Sequence, residues 1–329
     1  MNFEIREIGL PEAQEKAARE KEFHLFYSTY LGGFTRDRLL MNVPIDDHIF
    51  HRGDGVFDDA LCIGENYYLL NEHIDRFFFS AKAIRLTIPF SKIEFKRLLT
   101  RLGILSGQKD FLARFFLSRG HGSMSVFPHE VNSPNLYVLI DTIPPLPDRY
   151  YKVGMTAVTS PSPLRPPVSP QVKTVDYLSN ALMELSARSS GADAAIGVDS
   201  NGNITEGSNK NVAIVDKDGV FRFPSLDKIL RGTTLMRGVE HVKALEKKKL
   251  VTGVQSGDIP VTEAYNAREI LLFSTSLFVA PVVKYDGQAV GDGKPGVIWE
   301  SLYRFFEKDV KPTRKSSVRR DRGVLTPLR

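Results

Sequence analysis

The sequence predicts a two-domain α+β to α/β protein, and three observations carry that expectation. Short apolar runs with a period of two pair up as hairpins in the first half, and helical stripes separate them. A stretch with three prolines in ten residues, TIPPLPDRYY (142–151), breaks the pattern near the middle. Beyond it the strands become shorter and alternate with helices. Composition permits a core, since 42% of the 329 residues are hydrophobic and 25% charged, the balance of an ordinary globular chain. The chain therefore divides into an N-terminal extension (1–22), a smaller α+β domain (23–143), an interdomain linker (144–152), a larger domain (153–310) and a tail (311–329).

The elements follow in order. A helical pattern fills 11–22, and apolar and polar residues then alternate from Phe23 to Phe50, with turns at Gly32-Gly33 and Pro44–Asp47. Strands are expected at 56–63 and 67–70, joined at Gly64-Glu65-Asn66. The next helix is capped by Asn71, a residue type suited to an N-cap, and Ile74, Phe77, Phe78, Ala81 and Ile84 recur along it at helical spacing. A second helix covers 91–105, and the strands LARFFLSRG (112–120) and NLYVLID (135–141) close the half. The second half carries strands in VGMTAVT, AAIGVD, ITEG, NVAIVD, GVFRFP and EILLF, with helices at 175–190, 233–247 and 297–309. A proline-rich loop (160–171) leads into SPQVKTVDYLSNALMEL (169–185), where Leu178, Leu182 and Leu185 form one stripe of a helix expected to be largely buried.

Composition also limits the function classes. The longest apolar runs, YVLI (137–140) and ILLF (270–273), are strand-sized, so no transmembrane helix is expected. The first residues lack the apolar stretch of a signal peptide and carry too many acids for a transit peptide, which points to the cytoplasm. Cys62 is the single cysteine, which excludes an intramolecular disulfide and suits a reducing compartment. The formal net charge of +5 arises in the tail. Residues 311–329 hold seven Lys/Arg and one Asp, so the rest of the chain is close to −1. With few large apolar groups, the tail is expected to be disordered and solvated rather than an RNA or membrane contact.

Some motifs mislead. GDGKPG (291–296) fits G-x-G-x-x-G, but a dinucleotide fold needs a full βαβ unit and an acid about 20 residues on, and only one helix and the tail follow. His48 and His51 lack a third ligand cluster, so no metal is expected, and no G-x-S-x-G elbow or Walker A loop occurs. What remains is a constellation spread along the chain. Lys173 stands between the proline-rich loop and a helix, Glu206 ends a strand in ITEGSNKN (204–211), and Arg76 lies on the helix after Asn71. LRGTT (230–234) and FSTS (273–276) set hydroxyls and free amides beside strand or helix ends, where phosphate binds readily. Read singly, each is an ordinary surface Lys, solvated Glu, helix Arg or turn.

Together these residues resemble the class IV (fold type IV) pyridoxal-phosphate-dependent aminotransferases, the family of D-amino-acid aminotransferase, branched-chain aminotransferase and aminodeoxychorismate lyase. The similarity runs from about Phe26 to Val310, with the family's blocks in order: HRGDGVFDD (51–59), NEHIDRFFFSAKAIRLTIPF (71–90), VKTVDYLSNAL (172–182), ITEGSNKNV (204–212), then GTT and FSTS. The resemblance implies a two-domain fold with the active site between domains, a pyridoxal 5'-phosphate cofactor and a homodimer. It gives Lys173 the Schiff-base role, sets Glu206 on the pyridine nitrogen, and gives Arg76, Thr233, Thr234, Ser274 and Thr275 the phosphate. Tyr177 is left between a contact to the ring hydroxyl and core packing. Phe57, Arg114 and Arg119 are candidate substrate residues; the arginines lie five apart on one strand and so face opposite ways.

The blocks look closest to plant-type D-amino-acid aminotransferases, with one departure. Bacterial D-enzymes carry an Arg/His pair just before "FP"; here SRGHGSMSVFP (118–128) has Met124 and Val126 near those positions. The carboxylate trap is not preserved, and stereochemistry does not carry over from it. Arg114 aligns with an arginine of branched-chain enzymes, while Arg119 resembles the lyases. The expected activity is transamination between an amino acid, foremost a D-amino acid, and a 2-oxo acid. The alternatives are a branched-chain aminotransferase, a lyase releasing pyruvate and 4-aminobenzoate from aminodeoxychorismate, and an inactive fold whose basic tail binds RNA or a partner. In the family's chemistry the lysine is also the base at the substrate Cα, which requires its amine to lose affinity for its proton, as burial would produce.

Overall fold

The computed structural model describes residues 9–19, 23–131, 133–161, 170–310 and 323–329. The first half contains β1 (Leu25–Ser28), β2 (Gly33–Thr35), β3 (Gly55–Ile63), β4 (Asn66–Tyr68), β5 (Phe111–Ser118) and β6 (Asn135–Asp141), with helices α1 (Leu10–Ala17), α2 (His48–Arg52), α3 (Leu70–Ala83) and α4 (Lys92–Ser106). Together with β16 (Leu325–Pro327) these strands form an antiparallel sheet in the order β16-β4-β3-β5-β6-β1-β2. Alternation along β3 turns Val56, Ala60 and Cys62 toward the core under α3 and α4, and leaves Phe57 and Asp59 on the opposite face. Phe77 of α3, Phe95 of α4 and Phe115 of β5 meet at that core with ring centroids 4.9–5.4 Å apart.

The second half contains β7 (Met155–Pro161), β8 (Ala194–Val198), β9 (Ile204–Gly207), β10 (Asn211–Val215), β11 (Val220–Phe223), β12 (Gly253–Ser256), β13 (Glu269–Ser274), β14 (Phe278–Tyr285) and β15 (Gln288–Ala289). Its helices are α5 (Arg149–Lys152), α6 (Leu178–Ser189), α7 (Thr233–Glu246), α8 (Val261–Tyr265) and α9 (Val297–Val310). The sheet runs β12-β11-β10-β13-β14-β7-β8-β9, with β15 beside β14; β11/β12, β14/β7 and β7/β8 are parallel pairs. Its central strands are buried on both faces, which explains their unbroken apolar runs. Ala213 and Val215 of β10 join the core under α7 and α9, while Val212 and Ile214 join the core beside α8. No helix among the described residues is long and apolar enough to cross a membrane.

Several expectations need correction. Helix α3 begins at Leu70, with Leu69 in a left-handed conformation at the cap (φ 52°). The turn is fixed from outside, because Leu69 N–H donates to the Val324 carbonyl at 2.8 Å. Asn71 thus sits inside the helix and accepts from Lys96 Nζ. The leucine stripe of α6 faces outward: Leu178, Leu182 and Leu185 are 68%, 56% and 60% exposed. The inner face carries Met183 and Ala187 against Ala195 of β8, and Asn180, whose amide donates to the Ser208 carbonyl. The glycine-rich loop before α9 holds no anion site, since the first-turn amides of Ile298 and Trp299 donate to the Glu269 carboxylate at 2.9 and 2.8 Å. The linker contains the short helix α5 at its end.

The tail differs most. Its residues 311–322, like most of the proline-rich loop (162–169), lie outside the described residues, but the chain's last residues are ordered in β16. Val324 and Leu325 join the core of the second half, while Leu328 joins that of the first. Leu328 packs so closely on α4 that a Cβ on Gly103 would lie 2.8 Å from it. Composition marked a basic tail, yet GVLTPLR holds enough apolar surface to dock.

Candidate active site

A pocket of about 290 Å³ opens between the outer face of β3 and β5 and the loops of the second sheet. Strand register builds the first wall. Phe57 lies opposite Phe116, and Asp59 opposite Arg114; the two rings stack at 5.7 Å, and Arg114 Nη1 reaches Asp59 Oδ1 at 3.3 Å. Both charged side chains of that pair are half-buried.

Lys173 enters from a segment stitched to the edge of this wall. Phe57 N–H donates to the Lys173 carbonyl at 3.0 Å, Val175 N–H to Gly55 O at 3.1 Å, and Lys173 N–H to Ser80 Oγ at 3.1 Å. Val172, the preceding residue, is buried in the first core. With its neighbours so fixed, the lysine side chain points into the pocket. Nζ donates to Tyr177 Oη at 3.0 Å and lies 4.2 Å from the Phe57 ring centre, a cation–π distance. The surface reading of this lysine is thereby excluded. Burial pushes the amine down, but Tyr177, Asp59 and Asp58 outweigh burial, so the net shift is upward. The protein's own groups therefore favour the ammonium, contrary to the fall expected from burial.

At the far end, Gly232 leads into α7, so that Thr233 and Thr234 occupy its first turn. No side chain caps this helix start, and its amides and dipole favour an anion. The turn Ser274-Thr275-Ser276 after β13 lines the same end. Gly232 is required here, because a Cβ would lie 1.7 Å from Asn211 Oδ1. Arg76 reaches the pocket from α3, held by a fork to the fully buried Asp58: Nε and Nη2 each lie 2.8 Å from its oxygens. His73 binds the same carboxylate through Nδ1 at 2.8 Å and meets Thr233 Oγ1 through Nε2 at 3.3 Å.

Glu206 stands one layer behind the pocket wall. Its Oε2 accepts from Asn211 Nδ2 at 3.2 Å and from Leu230 N–H at 3.1 Å, and both of those residues line the pocket. Arg119 is not in the pocket. Strand β5 ends at Ser118, and Arg119 forks to Asp54 at 2.7 and 2.9 Å and donates to the Ile84 carbonyl. Lys173, Tyr177, Arg76, Thr233, Thr234, Ser274, Thr275, Phe57 and Arg114 therefore converge, Glu206 backs them, and Arg119 serves elsewhere. Sequence reasoning missed Asp58, Asp59, His73, Asn209 and Asn211. Two signals were available: consecutive acids in one strand must face opposite sides, and His73 lies three residues before Arg76 on one helix face.

The donor set fits pyridoxal 5'-phosphate: a guanidinium, hydroxyls and an uncapped helix start for a phosphate, an amine at the centre, and an acid behind the wall. Similarity to known proteins agrees. The model of the amino-transferase class IV family matches residues 55–285. The chain is 34% identical over 310 residues to the chloroplastic D-amino-acid transaminase of Arabidopsis thaliana, covering 93% of this chain and 81% of that one. It is 31% identical over 288 residues to a putative branched-chain-amino-acid aminotransferase of Methanocaldococcus jannaschii, covering 86% and 96%. Among solved structures, the branched-chain amino acid aminotransferase of Thermoproteus uzoniensis with norvaline shares the fold, with a TM-score of 0.80 at 22% identity over 93% of this chain and 99% of that one. A second branched-chain enzyme, solved with pyridoxamine 5'-phosphate, superposes with a TM-score of 0.83 at 24% identity over 94% of this chain and 100% of that one.

Proposed function

The chain belongs to the class IV aminotransferase family, and we propose from that premise how its residues divide the work and which substrate they take. It is a pyridoxal-phosphate-dependent enzyme that transfers an amino group between an amino acid and a 2-oxo acid. The bound cofactor supplies an electron-withdrawing ring that stabilises negative charge at the substrate Cα.

Lys173 would hold the cofactor through its amine and would move the proton at the substrate Cα. Tyr177 holds Nζ in place through its hydroxyl, and Phe57 covers it from the side. Arg76, Thr233, Thr234, Ser274 and Thr275 would hold the phosphate by charge-assisted bonds, and Glu206, bonded to Asn211 Nδ2 and Leu230 N–H, would supply the acid that keeps the ring nitrogen protonated. Arg114, offset by Asp59, meets the substrate's carboxylate end. The reading keeps 23–143 and 153–310 as the two working domains, joined by 144–152, with β16 assigned to the sheet of the first.

The donor is a D-amino acid, a reading supported by the plant relative's name and 34% identity. A branched-chain substrate is the second reading, favoured by Arg114 in the pocket and by the archaeal relative's name. The lyase reading loses its support, because the arginine that resembles the lyases is tied to Asp54. The active form is a homodimer, a reading supported by the exposed leucines of α6. The compartment is a reducing one, read as the cytoplasm, on the single buried Cys62; tracking of a tagged chain tests it.

The observation that carries the assignment is Lys173 Nζ, held between Phe57 and Tyr177 in a pocket with an anion-binding end. Purified chain given the cofactor should develop a visible absorbance band that Lys173→Ala abolishes. Panels of D- and L-amino acids with pyruvate or 2-oxoglutarate, alongside aminodeoxychorismate, then read the substrate. Turnover confined to branched L-amino acids overturns the D-assignment, and a band retained in Lys173→Ala overturns the lysine's role.

A further inference from the structure

We infer that His73 is a proton-linked positioning residue of the anion cradle: it sets the Thr233 hydroxyl toward the anion and takes up a proton from solvent when a dianion binds. The inference rests on the cradle assignment above. His73 is 1% exposed and Asp58 is 0% exposed. The Asp58 carboxylate can only accept hydrogen bonds, so His73 Nδ1, 2.8 Å away, must carry a hydrogen. Arg76 Nη2 also lies 3.5 Å from Nδ1 but is committed to Asp58 at 2.8 Å.

The state of Nε2 then decides what Thr233 can do. In a neutral ring Nε2 is an acceptor, and Thr233, at 3.3 Å, gives it its one hydroxyl hydrogen. The hydroxyl then presents only lone pairs to the pocket, which repel an anion. In the imidazolium, Nε2–H donates to Thr233 Oγ1 and frees the hydroxyl hydrogen for the anion. Asp58 is already paired with Arg76, so a dianion beside them adds negative charge that the extra proton offsets. Bound anion and protonated His73 thus favour each other, and affinity must fall as pH rises.

The charged and titratable groups near His73 include Asp58 on β3, Glu72 and Arg76 on α3, Asp59, Lys173 and Tyr177 lining the pocket, and Arg231, Arg237 and Glu240 on the side of Thr233. Arg76 and Lys173 keep their protons throughout the neutral range, and Asp58 stays ionised. Glu72, pushed up by burial, is the control.

Sulfate binding to the full-length chain stripped of cofactor, followed by calorimetry between about pH 5.5 and 8, tests this, because sulfate stays a dianion there. Affinity should fall with rising pH, approaching about tenfold per unit for one coupled proton. His73→Gln keeps an amide donor for Thr233 and should flatten the slope, while Glu72→Gln should keep it. A flat wild-type profile, or an unchanged slope in His73→Gln, overturns the inference. Should that variant fail to fold, nitrogen-15 spectra of the wild-type His73 ring give the same answer: a ring neutral with and without sulfate refutes proton uptake. Sulfate that binds without competing with pyridoxal phosphate overturns the cradle assignment itself, and this inference with it.

Discussion

Replacing Asp58 tests the buried scaffold of the site. Its carboxylate is 0% exposed and accepts four bonds at 2.8 Å, two from Arg76, one from His73 and one from the Asp59 backbone N–H. Coulomb attraction at that distance is about 6 kcal/mol for an effective dielectric near 20, and the desolvation of two ions opposes it. Truncation is costlier than the net worth of the pair, because it strands Arg76 in the interior; the expected loss for Asp58→Ala is about 3–5 kcal/mol. Asp58→Asn keeps one acceptor oxygen and should fall at the lower end. Burial pushes the Asp58 carboxyl up, but Arg76 and His73 outweigh it and hold it well below the usual carboxylate range. A carboxyl depressed in the folded state contributes stability that is complete above about pH 4 and is lost as pH falls further. The gap between wild type and Asp58→Asn should therefore be widest at neutrality and shrink in acid. Denaturant titrations of the cofactor-free chain at neutral and acid pH measure both arms. A difference below about 1 kcal/mol at neutrality, or a gap that persists undiminished in acid, refutes the reasoning.

Other expected outcomes follow from the same geometry. Arg114→Ala should raise the KM of the 2-oxo acid about five- to thirtyfold, equivalent to roughly 1–2 kcal/mol for a half-buried contact. Arg119→Ala should leave KM unchanged and lower the melting temperature, and steady-state kinetics with a thermal melt separates the two. Deleting Gly323–Arg329 removes three buried aliphatic side chains and should cost about 3–6 kcal/mol after chain entropy is counted; a melt equal to that of the full chain would refute the docking of β16. Leu182→Glu places a charge on the exposed ridge of α6 and should weaken self-association at least about tenfold, read by sedimentation. An unchanged sedimentation profile would remove the ridge from the interface.

What could be read from the sequence had local causes. The core face of α3 and the strands β3, β5 and β6 follow from periodicity, and the site lysine, arginine and hydroxyl turns from ordered blocks. What could not be read depends on distant partners. The start of α3 is set by Val324, more than 250 residues away, so local capping chemistry named Asn71 instead. On α6 both faces offer apolar residues, and an asparagine bonded to the Ser208 carbonyl decides which one turns inward. Arg114 and Arg119 share a residue type and a segment, yet the strand stops between them. Asp58 and His73 were invisible as a pair because their meaning lies in a contact between a strand and a helix.

The docking of β16 has a consequence for biosynthesis. The sheet translated first is the one finished last: Tyr68 of β4 waits for Leu325, which is made 257 residues later. At ordinary translation speeds of about 5–20 residues per second, that interval lasts roughly 10–50 seconds. Throughout it the nascent first half carries an open strand edge, a template for mispairing with other chains. A stalled or prematurely terminated chain would carry every residue of the pocket and still expose that edge.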